Sequence, residues 1–228
     1  SIMAAMSFIA APRYDTPSYL WPRPKYRGVL HAVGAFAVVP LGALLIASAT
    51  ETTNRVAASG YVLAQLAVFA TSALYHLVAR RPEVRRRMQL ADHSMIYVLI
   101  AGTWVPICLV TLPPRWGMPF LVGVVGAAAA GIVLKSFGVH RFPRASNAIY
   151  GVMGWVAILA LPAIIDNLGT LALALLAVGG VIYSAGAVVL MRKHPDPRPS
   201  EFGYHEIFHA CTVAATACHF AMVWLVVV

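Results

Sequence analysis

The residues best suited to chemistry are two histidines and a glutamate just before the last apolar stretch. His205, Glu206 and His209 form the pattern His-Glu-x-x-His. Residues four apart on a helix share one face, so both imidazoles can bind the same metal ion. In soluble metalloproteases this pattern supplies two zinc ligands and a glutamate base. A catalytic zinc site uses three protein ligands, so a third ligand must be sought elsewhere in the chain.

The composition is that of a membrane protein. Of the 228 residues, 60% are hydrophobic and only 11% are charged, unlike a soluble globular domain. Apolar runs of roughly 20 residues, the length that crosses a bilayer as a helix, recur along the chain. The sequence therefore predicts an all-α membrane protein, a seven-transmembrane helix bundle forming a single domain over residues 28–228. Residues 1–27 are predicted to form a cytoplasmic or interfacial N-terminal segment.

Polar and proline-rich links divide the predicted domain into its seven spans. The spans cover residues 28–49, 56–78, 92–113, 117–134, 147–165, 168–191 and 205–228. No internal repeat of the kind found in inverted-repeat transporters is visible in the sequence. The three cysteines all lie in apolar runs, so a disulfide framework is not expected.

Basic residues are divided unequally between the two sets of links. The N-terminal segment and the links after spans two, four and six carry fifteen of the 17 Lys and Arg residues, and only Arg55 and Arg115 belong to the other side. Because cytoplasmic links retain positive charge, the N-terminus is predicted to be cytoplasmic and the C-terminus exterior. Topology therefore explains the net charge of +9. The basic residues form no patch interleaved with aromatic side chains, so nucleic acid is not an expected partner.

This orientation brings polar residues of three spans to one depth. Span two ends near His76, and Ser72 lies one helical turn earlier on the same face. Spans three and seven begin with Asp92 and with the His205/His209 pair. Ionisable groups at membrane depth are costly, and they usually face the bundle interior and pair with one another or with an ion. We therefore predict a metal site held by the three histidines.

Zinc is the expected metal, because three imidazoles leave a fourth position for water. Asp92 is expected to hold that water and accept its proton, and Ser72 to hydrogen-bond the water or a substrate oxygen. Each residue also has a purely structural interpretation. His76 could be an interfacial polar residue, Asp92 a helix cap, and Ser72 a donor to the backbone of its own helix.

The other histidines are assigned by their depth in the predicted bundle. Candidates to support the site are His31, His93 and the nearby Tyr97. Solvated link positions are expected for His140 and His194. His219, deeper in span seven, is expected to hydrogen-bond between packed helices.

Three separated motifs, in this order, resemble the hemolysin III family. They are Ser72-Ala-Leu-Tyr-His76, Asp92-His-Ser-Met-Ile-Tyr-Val-Leu-Ile-Ala-Gly-Thr-Trp-Val-Pro106, and His205-Glu-Ile-Phe-His209 with the later His219-Phe220. That family belongs with the receptors of the progestin and adiponectin receptor (PAQR) superfamily, which is grouped with alkaline ceramidases as metal-dependent membrane hydrolases. The similarity runs from Gly28 through essentially the whole chain.

The resemblance implies zinc on His76, His205 and His209, with Asp92 and Ser72 around the water. It also implies a lipid-like substrate, with an amide such as ceramide as the leading candidate. For a bacterial member it implies a role in membrane homeostasis and a place in the inner (plasma) membrane. Membrane lipids are thus the expected partners, and the oligomeric state is left open.

Four functions compete at this point. The first is zinc-dependent hydrolysis of a lipid amide at the inner leaflet. The second is a non-enzymatic lipid sensor with structural zinc, which would favour a closed site of four protein ligands. The third is intramembrane proteolysis with Glu206 as the base, which rests on the His-Glu-x-x-His pattern alone. The fourth is a hemolysin-type cytolytic pore, although the polar groups cluster at one depth and do not line a path across the bilayer.

Overall fold

The computed structural model describes residues 23–137 and 143–228. Within these ranges it contains seven helical spans long and apolar enough to cross a membrane, and no strand. The predicted seven-helix, all-α membrane class is therefore confirmed. Most of the N-terminal segment 1–27, and His140, lie outside the described residues. The orientation of the termini and the domain division at residue 28 stay predictions.

Eight α-helices form these seven spans. They are α1 (Val29–Ser48), α2 (Thr52–Ala73), α3 (Pro82–Pro106), α4 (Pro114–Ser136), α5 (Pro143–Trp155), α6 (Leu161–Asn167), α7 (Thr170–Arg192) and α8 (Tyr204–Val227). A 3-10 turn, Val156–Ala160, joins α5 to α6. These two helices make the fifth span, so α7 and α8 are the sixth and seventh.

Helix α3 begins earlier than predicted. It starts at Pro82, a residue that suits a first helical position because its missing N–H needs no partner there. Three of the five arginines of the preceding link, Arg85, Arg86 and Arg87, therefore lie on the first turns of the helix. Hydropathy excluded them from the predicted span, but long basic side chains can extend to the membrane surface without ending a helix. Asp92 thus lies roughly three turns inside α3, and it is not the helix cap.

Two spans end in a π-helical turn. Helix α2 continues through Leu74–Val78, and α3 through Ile107–Thr111. Such turns widen the helix locally and are frequent at functional sites. The first of them contains His76 and buries its side chain inside the bundle.

Small residues let the helices approach closely. A methyl group added at Gly102 of α3 would lie only 2.2 Å from the Cβ of Ala64 on α2. A methyl group at Gly179 of α7 would lie 2.4 Å from the His219 ring on α8. Close backbone approach through small residues is typical of helix packing in membranes, where apolar side chains gain little by leaving lipid.

Candidate metal centre

Three histidines meet at one end of the bundle. His76 comes from the π-helical turn after α2, and His205 and His209 come from the first turns of α8. Each offers a ring nitrogen, and the three nitrogens lie within 4.8 Å of one another. Two nitrogens bound to one zinc ion at about 2.0–2.1 Å lie at most about 4.2 Å apart. A small movement of the side chains would therefore close the cluster on a single ion.

The donor set fits a metal ion. Each imidazole has a buried ring nitrogen with no hydrogen-bond partner among the residues described, namely His76 Nε2, His205 Nε2 and His209 Nδ1. An unpaired buried polar atom costs about 1–3 kcal/mol, so three of them in one cluster are difficult to explain as packing alone. Neutral imidazole is a good ligand for zinc and similar divalent ions. The three histidines therefore form a cluster that can hold a metal.

Asp92 and Ser72 lie beside this cluster. An Asp92 carboxylate oxygen, Oδ2, is 3.9 Å from His76 Nε2. The Ser72 hydroxyl is buried next to the same carboxylate. Within the described part of the chain this hydroxyl makes no hydrogen bond to the backbone of its own helix. The structure thus brings all five residues of the predicted site together, and the two structural interpretations of Asp92 and Ser72 do not match their surroundings.

Glu206 has other partners. One oxygen, Oε1, forms an ion pair with Arg27, and the other, Oε2, accepts the backbone N–H of Gly203 at 2.8 Å. In the second contact the Glu206 side chain, in the first turn of α8, caps the backbone N–H of the residue just before the helix. A general base needs a lone pair directed at the water, and both Glu206 oxygens already bind cationic or N–H donors. This geometry disfavours the protease interpretation.

A short segment before α1, residues 23–28, crosses the same end of the bundle, and we term it the N-terminal strap. The Arg23 guanidinium donates to the carbonyl oxygens of Tyr75 and Ala79 at the end of the second span. Burial lowers the pKa of Arg23, and the neighbouring Arg85 adds to the effect. Arginine remains charged in proteins, so its contact with these last carbonyls is favourable.

The strap also approaches the metal centre directly. Gly28 has φ +87°, and a methyl group at this position would lie 2.6 Å from His76 Cβ. Only glycine adopts this backbone conformation without strain while leaving room for the histidine. From the sequence, Gly28 was predicted only to begin a span. Neither Gly28 nor Arg27 was predicted to lie beside the site. A glycine beside a basic residue at a span boundary is too common to single them out.

His31 lies against the cluster from α1. Its ring stacks on that of His209, with centroids 3.8 Å apart and planes 10° from parallel. The ring of Phe69 contacts it edge to face at 5.2 Å. His31 is 3% exposed, and neither of its nitrogens has a hydrogen-bond partner in the described part of the chain.

The other candidate neighbours connect helices. The Tyr150 hydroxyl of α5 donates to the His93 carbonyl of α3 at 2.7 Å. Tyr97 stacks on Tyr150 with centroids 4.1 Å apart, and its hydroxyl donates to the Ser146 carbonyl at 3.4 Å. These contacts assign Tyr97 to the packing between α3 and α5. His194 is exposed, as expected for a link residue.

A second group of buried polar residues lies further along α8. The hydroxyls of Tyr183 and Thr216 are 2.7 Å apart, and the Tyr61 hydroxyl donates to the Thr216 carbonyl at 3.4 Å. His219 Nε2 is 3.3 Å from the Leu176 carbonyl oxygen of α7, so His219 bonds between helices as expected. We call Tyr61, Tyr183, Thr216 and His219 the tyrosine–threonine cluster. Apart from His219, sequence reasoning missed it, because single polar residues in apolar runs carry no spacing pattern.

Comparison with known proteins agrees with the motifs. Residues 19–220 match the family described as Haemolysin-III related. The chain is similar to Hemolysin-3 of Bacillus cereus, with 34% identity over 196 residues that cover 84% of this chain and 86% of the relative. It is also similar to the Hemolysin-3 homolog of Bacillus subtilis (strain 168), with 31% identity over 196 residues that cover 84% of this chain and 88% of the relative.

Proposed function

The chain belongs to the Haemolysin-III related family, and we propose that it is a zinc-dependent hydrolase that cleaves a lipid amide of the ceramide type. It is a multi-pass integral membrane protein of the bacterial plasma membrane. The observation that carries the proposal is the convergence of three unpaired histidine nitrogens beside a carboxylate and a hydroxyl.

The donor set fits a catalytic zinc ion better than a structural one. Structural zinc sites are usually closed by four protein ligands, whereas catalytic sites use three and leave one position open. The cluster in the described residues has three histidines as its members. A zinc ion bound there supplies a Lewis acid for a carbonyl oxygen and allows water to ionise near neutral pH.

Amide hydrolysis requires a proton to move from water to the leaving nitrogen. Asp92 is the group placed to move it, because its carboxylate lies 3.9 Å from His76 Nε2, beside the cluster but not in direct hydrogen-bond contact with that ring. Asp92 accepts a proton from the attacking water and delivers it to the amide nitrogen as the C–N bond breaks. The products are a carboxylic acid and an amine.

Ser72 has a different task. Its buried hydroxyl lies next to the Asp92 carboxylate and, in the described part of the chain, makes no hydrogen bond to the backbone. It can donate to the substrate carbonyl oxygen, where negative charge develops during attack. Donors fixed in a site that excludes water stabilise this charge more strongly than water does.

A membrane lipid is the substrate class that the surroundings favour. The site lies inside a bundle of helices that are long and apolar enough to cross a membrane, and the strap crosses its end. A substrate with an amide head and apolar chains could enter between helices from the leaflet. With the predicted orientation this is the inner leaflet.

The proposal is tested with Asp92→Asn in purified protein reconstituted in lipid nanodiscs. We expect the variant to keep one zinc ion per chain by elemental analysis and to lose about 10²–10⁴-fold in hydrolysis of a fluorescent ceramide. Asp166→Asn is the control, because Asp166 is an exposed acid at the opposite end of the bundle. Unchanged turnover in Asp92→Asn would refute its role. Wild type that binds zinc but cleaves no lipid amide would refute the hydrolase and favour the non-enzymatic alternative.

A further inference from the structure

His31 is a buried polar residue beside the metal centre that the proposed mechanism does not use. It lies in the first turn of α1, is 3% exposed, and has both ring nitrogens unpaired within the described ranges. Buried polar side-chain atoms usually have a partner, and those that lack one need a specific explanation. Its position against His209 places it at the metal centre, so the explanation should be sought there.

Stacking alone does not explain a histidine at this position. The ring contacts His209 face to face and Phe69 edge to face. A phenyl ring would make the same two contacts and would bury no nitrogen. At least one nitrogen of the imidazole is therefore expected to bind a partner.

The geometry also excludes His31 as a fourth ligand to the same ion. Imidazole lone pairs lie in the plane of the ring, so an ion bound by His209 lies near the His209 plane. The His31 plane is nearly parallel, at 10°, and the ring centroids are 3.8 Å apart. The ion would then lie well out of the His31 plane, where no lone pair points.

The same geometry allows His31 to contact a molecule bound at the open position of that ion. Its atoms extend away from the ion, and the His31 ring lies close to them because it stacks on His209 with ring centroids 3.8 Å apart. We propose that His31 is a substrate-positioning residue, whose ring nitrogen hydrogen-bonds the polar head of the amide held at the metal centre. The inference rests on the proposed function, because it requires the metal site.

The probe for this role is acetohydroxamic acid, a small molecule with an acyl oxygen and an N–H that binds metal ions through its oxygens. Cobalt(II) replaces zinc, because its visible absorption reports both metal binding and the arrival of the probe. We expect His31→Phe to bind cobalt within about threefold of wild type and to bind the probe about tenfold more weakly, the effect of one lost hydrogen bond.

Phe69→Leu is the matched control. It alters the other ring contact of His31 but leaves the His31 nitrogens and the stack on His209 in place. We expect its affinity for the probe to stay within about twofold of wild type, since no hydrogen bond is removed. If His31→Phe does not fold, His31→Met fills the space without a nitrogen, and the same loss is expected.

Equal probe affinity in wild type and His31→Phe would overturn the inference. Loss of cobalt binding in His31→Phe would also overturn it, because His31 would then support the metal itself. A wild-type protein that binds no cobalt would refute the proposed metal site, and this result is distinct from a failure of His31 alone.

Discussion

Two groups of buried polar residues share helix α8 but differ in their bonding. In the metal centre, His205 and His209 each have an unpaired ring nitrogen. In the tyrosine–threonine cluster, about 15 Å further along the helix, Thr216 bonds Tyr183 at 2.7 Å, and His219 bonds a carbonyl of α7 through Nε2 and leaves only its Nδ1 unpaired. Buried polar groups that bond one another hold helices together, whereas ligand nitrogens of three histidines that converge within 4.8 Å without bonding one another indicate a bound partner. Residue type alone does not distinguish the two, since both groups contain histidine.

The largest effect that would test this contrast is loss of metal binding. We expect His76→Ala to weaken zinc affinity by more than about 100-fold, because even changes in the partners of metal ligands cost about 10–100-fold. A chelator competition on purified protein measures it. His219→Gln is the matched control from the second cluster and should keep one zinc ion per chain. Retention of stoichiometric zinc by His76→Ala would remove the basis of the metal centre.

Removing the Arg27–Glu206 ion pair should lower the stability of the protein more than it weakens metal binding. We expect Glu206→Ala to lower the free energy of unfolding by about 3 kcal/mol, because it leaves a part-buried guanidinium unpaired and removes the cap of α8. A double-mutant cycle with Arg27→Met, measured by denaturant unfolding in detergent, should show coupling of about 1–3 kcal/mol. Additive effects of the two changes would contradict a structural ion pair.

Glu206→Gln separates this structural role from catalysis. Its amide oxygen can still accept the Gly203 N–H, so α8 remains capped. We expect zinc content and lipid hydrolysis to persist in this variant. Loss of lipid hydrolysis with zinc retained would restore Glu206 as the candidate base.

Gly28→Ala should disturb the metal centre from outside its ligands. We expect a loss of about 1–2 kcal/mol in stability from the left-handed backbone, together with weaker zinc binding as His76 shifts away from the new methyl group. Thermal unfolding and chelator competition measure the two effects. Gly151→Ala is the control, because nothing lies within 4 Å of a methyl group at that position. Equal zinc affinity in both variants would show that the strap does not position His76.

The smallest effect is expected in the tyrosine–threonine cluster. Thr216→Val removes the hydroxyl that bonds Tyr183 and should cost about 1 kcal/mol in unfolding free energy, the usual contribution of one hydrogen bond. Zinc affinity should be unchanged. A reduced zinc affinity in this variant would mean that the two groups are coupled through α8, and the contrast between them would weaken.

Hydropathy determined the number of spans, because each segment must bury its own apolar length and satisfy its own backbone in lipid. The predicted start of α3 was wrong because it, too, was based on hydropathy. Its first turns carry arginines, and a rule based on hydropathy cannot follow a helix beyond the apolar region. Helical spacing and common depth were sufficient to group His76, His205 and His209, since spacing follows from helix geometry and depth from the ends of the spans.

Only the tertiary structure could decide what surrounds those ligands. The stack of His31 on His209, the approach of Gly28 to His76 and the second polar cluster all join residues from different helices. Glu206 is the clearest case. The pattern His-Glu-x-x-His makes it a candidate base, but its carboxylate pairs with Arg27, 179 residues earlier in the chain. Helix packing brings these two side chains together, and no local pattern in the sequence records that contact.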